Sequence, residues 1–80
     1  MQVEIKNFEN ETDNKFVGFN IRNDANALFI IDKRVPLVNG KTDEQYVQDA
    51  LALAKPEIDE WLASQSFVGR KWNIATNSFE

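Results

Sequence analysis

The chain has 80 residues, of which 42% are hydrophobic and 28% charged, enough for one domain over residues 1–80 and too few to fill a second core. It contains no cysteine and no histidine, which excludes disulfides, thiolate nucleophiles, triads of the Ser-His-Asp type and metal sites built on those side chains. Nine basic against thirteen acidic residues give a net charge of -4 and a pI near 4.7, a balance that opposes wrapping of nucleic acid.

Val3 and Ile5 alternate with Gln2, Glu4 and Lys6, which predicts a half-buried strand ending near Phe8, with Glu9 to Asn14 as a polar connection. In the next segment Val17, Phe19 and Ile21 share one face, opposite Phe16, Gly18, Asn20 and Arg22. Asn23-Asp24-Ala25-Asn26 supplies turn formers, so a hairpin follows. The run Ala27 to Ile31 is apolar on both faces, which places it centrally in a sheet or under cover on both sides. Asp32-Lys33-Arg34 then returns to solvent and Pro36 ends the strand.

Thr42-Asp43-Glu44-Gln45 is a capping box, and a helix is predicted to begin there. Val47, Ala50, Leu51, Ala54, Ile58, Trp61 and Leu62 fall on one stripe, as expected of a helix packed on a sheet. Pro56 interrupts the helix without shifting its phase, which predicts a kink or a break between Ala54 and Glu57. Ser64 to Ser66 end the helix, and Phe67 to Ile74 has strand composition, with Gly69 marking a bulge or turn and Thr76-Asn77 forming a tip before Phe79. The fold class is therefore α+β: an antiparallel sheet of three N-terminal strands plus a C-terminal strand or hairpin, packed against one long helix kinked near Pro56.

The helical segment carries six carboxylates against one lysine, a local charge of -5. Its first-turn acids suit the helix dipole, and the rest read as a solvated face or as a docking face for a basic partner. Adjacent Asp59 and Glu60 diverge by 100 degrees around the helix axis, so they cannot flank one bond, and no metal-ligand spacing or phosphate loop is present. No catalytic residue, cofactor or metal is therefore expected. Arg22, Lys33, Arg34, Arg70 and Lys71, with Trp72, offer basic and aromatic groups for a nucleic-acid platform, which the overall charge opposes.

Tyr46 and Leu53 form a smaller ridge on the helix flank, either widening the core contact or anchoring a partner. Phe16 raises the same question on the strand face opposite Val17, Phe19 and Ile21. One helix cannot hide both sides of a sheet, so the back face carrying Phe16, Gly18 and part of Leu28 to Ile31 is expected to be exposed unless another chain or a terminal strand covers it. No apolar run approaches the roughly 18 residues of a membrane span, and Met1 to Lys6 lacks a signal-peptide pattern, which points to a cytoplasmic protein without a membrane partner.

Val68-Gly69-Arg70-Lys71-Trp72-Asn73-Ile74-Ala75-Thr76-Asn77-Ser78-Phe79 resembles the closing hairpin of many small bacteriophage and prophage proteins, and the preceding helix is similar in style to theirs. The resemblance covers about the last 40 residues and implies a virion- or tail-associated assembly accessory, with no catalytic residues to carry over. The expected function is a non-enzymatic protein-interaction or self-assembly module using Phe16, Tyr46 and Leu53. The alternative is a small regulator that binds nucleic acid through the basic residues or mimics it through the acidic helix.

Overall fold

The computed structural model describes residues 1–80. Three antiparallel strands, β1 (Gln2–Asn10), β2 (Asn14–Arg22) and β3 (Leu28–Pro36), form a meander in the order β1-β2-β3. They precede a single long helix, α1 (Asp43–Gln65), and a separate short hairpin of β4 (Trp72–Asn73) and β5 (Ser78–Phe79). The α+β class is as the sequence predicts, but the C-terminal strands build their own two-stranded unit and do not join the main sheet.

Strand β2 is central, and its odd-numbered residues Val17, Phe19 and Ile21 are fully buried. Phe19 pairs with Ile5 on one side and Ile31 on the other, and Ile21 pairs with Val3 and Phe29. Ile31, Val35, Tyr46, Ala50, Ala54 and Ile58 complete the core. Alanines at the centre of the helical stripe let the helix backbone settle close to the sheet. In β1 the register slips between Ile5 and Asn7. This bulge carries Phe8, which simple alternation assigns to the outer face, round to the face of Val3 and Ile5.

Strand β3 is not central as expected; it is an edge, and Leu28 and Ile30 on its outer face are exposed. It also runs on through Asp32-Lys33-Arg34 to Pro36. Its even residues face out, while Lys33 and Val35 turn toward the helix, where Lys33 Nζ meets Glu57 Oε1 at 2.7 Å. At the β2–β3 turn the Asn23 carboxamide accepts from the Ala27 amide at 2.9 Å, and Asn26 adopts a left-handed φ of 64°.

The Thr42 capping box is complete: the Gln45 amide donates to Thr42 Oγ1 at 3.2 Å, and the Thr42 amide donates to Gln45 Oε1 at 2.9 Å. Replacing Thr42 with alanine is expected to cost about 1 kcal/mol, read as a lowered urea midpoint with an unchanged slope; no change would show that the box does not hold the helix start. Of the kink or break expected at Pro56, a break does not occur: the helix runs unbroken from Asp43 to Gln65 with Pro56 inside it. Pro56 and Ala52, the residue whose carbonyl it leaves unpaired, both lie on the exposed side, where water can satisfy that carbonyl.

The helix lies over β3 and β2, and its Cα atoms do not come within 8 Å of β1. Three features draw it to the β3 side. The connection from Pro36 is short, the Phe29 and Trp61 rings stack with centroids 5.2 Å apart, and Lys33 pairs with Glu57. A helix about 10 Å across cannot also cover a third strand roughly 5 Å further out.

Candidate interaction surfaces

The back face of the sheet is largely polar, which overturns the expectation of an apolar underside. Lys6 Nζ lies 3.3 Å from Asp32 Oδ1, and the Asn20 carboxamide donates to Glu4 Oε1 at 3.2 Å. The Lys6–Asp32 pair spans the sheet over Gly18, where a Cβ would sit 2.5 Å from Asp32 Oδ1. Phe16 is half-buried beneath the Arg34 guanidinium, 4.8 Å from its ring centroid. Arg34 in turn donates to both Glu11 carboxylate oxygens, at 2.7 and 3.3 Å. The hydrogen bond and charge of Glu11 raise the Arg34 pKa above its ordinary value, against an opposing effect of desolvation and with a lesser contribution from Asp32. Leu28 and Ile30 are the large apolar groups left exposed on this face.

Tyr46 is not at the surface either. It is 5% exposed and belongs to the core. Its hydroxyl donates to the Val38 carbonyl and accepts from the Val38 amide, both at 2.9 Å. The buried stripe of α1 is rotated from the predicted one: Tyr46, Ala50, Ala54 and Ile58 are buried, while Val47, Leu51, Trp61 and Leu62 pack only partly. Leu53, just beyond the Tyr46 edge of the stripe, stays 53% exposed.

The six basic and aromatic residues of the nucleic-acid alternative are not gathered into one surface. Lys33 and Arg34 point to opposite faces of β3, each already held by a glutamate. Arg22 lies at the end of β2, while Arg70, Lys71 and Trp72 belong to the C-terminal hairpin. The acidic helix face is likewise partly neutralised: Asp49 pairs with Lys41, Glu57 with Lys33, and Asp59 with Lys55 at 2.8 Å. Asp43 and Glu44 form no ion pair and occupy the first turn, where the dipole favours them. No group of three or more acidic residues is placed to hold a metal ion, and no helix is long and apolar enough to cross a membrane.

Two surfaces that periodicity alone does not reveal stand out instead. The first is a groove between β1 and the flank of α1, left open because the helix favours β3. It comprises two recesses that meet at Gln48. One, of about 540 Å³, is bounded by Ile5, Phe8, Val47, Asp43 and Glu44. The other, of about 420 Å³, lies between Met1 and Val3 on one side and Leu51 and Ile58 on the other. Val3 and Ile5 remain 42% and 48% exposed although they face the helix side of the sheet.

The second surface is the hairpin. Neither of its strands has a Cα within 8 Å of the sheet or the helix, and the molecule is accordingly 59 Å long with a radius of gyration of 17.0 Å, against about 12 Å for a compact chain of this length. The hairpin is held internally. Phe67 stacks on Phe79 at 5.4 Å, Trp72 meets Phe79 edge-on at 5.0 Å, and the Arg70 guanidinium covers Phe79 at 3.8 Å. Asn73 Oδ1 accepts from the amides of Ala75 and Thr76 to shape the tip. Phe67, Val68, Trp72, Ile74 and Phe79 are all exposed, Ile74 at 89%. Aromatic composition marks this segment in the sequence; its separation from the core depends on the direction in which the chain leaves Gln65. No protein family, curated protein or solved structure matches the chain.

Proposed function

We propose that the protein is a non-enzymatic interaction and assembly module that engages a protein partner through its C-terminal hairpin. One observation carries this reading: five large apolar side chains are exposed beyond the helix, and Trp72, Ile74 and Phe79 among them belong to a hairpin whose strands have no Cα within 8 Å of the sheet or the helix. An exposed aromatic cluster is costly in water and serves no core there, and a tryptophan beside an arginine is the composition of interface hot spots. The internal stacking fixes these side chains before contact, so little ordering entropy remains to be lost on binding. The resemblance of this hairpin to those of small phage proteins sets the proposal in virion or tail assembly, and virion genes beside the coding sequence would support that setting.

The test is a photoreactive residue placed at Ile74 in the cells that make the protein. A cross-linked protein adduct of defined mass is expected, lost when Trp72 is also replaced by alanine. Adducts no more frequent than from the same group placed at Asp24 would refute the reading.

A further inference from the structure

We infer that the hairpin's partner is a second copy of this chain, and that the hairpin of one copy seats in the groove between β1 and α1 of another. The inference rests on the interaction reading above and assigns its partner. The two surfaces are complementary in chemistry. The hairpin presents Trp72, Phe79 and Ile74 beside Arg70 and Lys71. The groove presents Ile5, Phe8 and Val47 beside Asp43 and Glu44.

Arg70 and Lys71 form no ion pair within one copy, and neither do Asp43 and Glu44, so these charges are free to pair across the contact; of the other basic side chains, Lys6, Lys33, Arg34, Lys41 and Lys55 are matched, while Lys15 and Arg22 are not. Apolar surface then meets apolar surface while opposite charges meet at the rim, where they set register and orientation.

The chain's own hairpin cannot make this contact. The helix separates Glu44 from Gln65 by about 31 Å at 1.5 Å per residue, whereas the five residues from Gln65 to Arg70 span at most about 18 Å when fully extended. The acidic end of the groove is therefore out of reach of Arg70 in the same copy and open to that of another. The contact joins different patches on the two copies, so it either runs on from copy to copy or closes by reciprocal exchange; in both cases the particle exceeds the 9.2 kDa of one chain.

The experiment is sedimentation of the purified full chain over a concentration series up to about 1 mM, a range that captures weak association. The wild type is expected to associate. The double substitution Arg70→Glu with Lys71→Glu is expected to weaken association at least tenfold, and adding Asp43→Lys with Glu44→Lys in the same chain is expected to restore it. Trp72→Ala lies in a hairpin whose strands have no Cα within 8 Å of the helix, so it supplies a check independent of helix stability and should weaken association to a similar degree. A wild type that stays at monomer mass throughout, or association indifferent to both the charge reversal and Trp72→Ala, would overturn the inference. If it falls while Ile74 still cross-links to a different protein, the interaction reading survives with another partner; if Ile74 cross-links to nothing, both fall.

Discussion

Replacing Phe19 with alanine is expected to remove about 3–5 kcal/mol of stability, the largest single effect in the molecule. A domain of this size holds roughly 4–12 kcal/mol in total, so the variant would sit close to unfolding at room temperature. Phe19 is fully buried on the central strand, between Ile5 and Ile31, beneath a helix whose contact stripe carries Ala50 and Ala54. The void left by the ring cannot easily close, because the flanking strands are fixed in register and the alanines above are too short to reach into it. A fall in urea midpoint at constant slope measures the loss. Ile5→Ala is the informative companion. Ile5 pairs with Phe19 but borders the open groove, and it should cost only about 1 kcal/mol because much of its surface is already in water. Equal losses at the two positions would mean that the helix covers β1 in solution.

Tyr46→Phe is expected to cost about 1–3 kcal/mol although it removes a single oxygen. The ring stays in the core, so the substitution isolates the hydroxyl, which both donates to and accepts from Val38. That pair of bonds clamps the connection between β3 and α1 and so helps set which strands the helix covers. Lys15 and Lys41 lie 5.2 and 5.0 Å from the centroid of the same ring, contacts that phenylalanine preserves. Faster amide exchange at Val38, together with a lowered thermal midpoint, is the expected signature. Unchanged exchange there would show that the connection is held by other contacts.

Much of the fold is legible in the residues. The alternation of Val17, Phe19 and Ile21 identifies the central strand, and Thr42 with Gln45 marks the helix start. Asn23 to Asn26 and Thr76-Asn77 mark the two turns. Each is a local signal, in which side chains act on backbone a few residues away. The misreadings share the opposite property. Leu28 to Ile31 suggests a buried central strand because apolar composition does not reveal how many neighbours a strand will have. Tyr46 looks peripheral on a helical wheel because the wheel ignores Val38, whose backbone receives the hydroxyl.

The surfaces proposed for assembly were only half legible. The aromatic and basic content of residues 67–79 singles out the hairpin, and the alternation of Val3 with Ile5 supplies one wall of the groove. Phe16, Tyr46 and Leu53 illustrate the limit: Arg34 shields the first, the core absorbs the second, and the third remains an isolated exposed leucine. Residue type reports what a side chain would gain from burial, not whether another element reaches it.

The amino-acid order alone determined the class of the domain, the extent of its helix and the exclusion of cysteine and histidine chemistry, because periodicity, capping and composition are properties of near neighbours along the chain. Tertiary structure decided where the helix lies across the sheet. That placement depends on the Phe29–Trp61 stack, the Lys33–Glu57 pair and the Tyr46–Val38 clamp acting together between residues that are not near neighbours along the chain, and it leaves β1 uncovered. The path of the chain beyond Gln65 likewise sets the hairpin apart, leaving no Cα of its strands within 8 Å of the sheet or the helix.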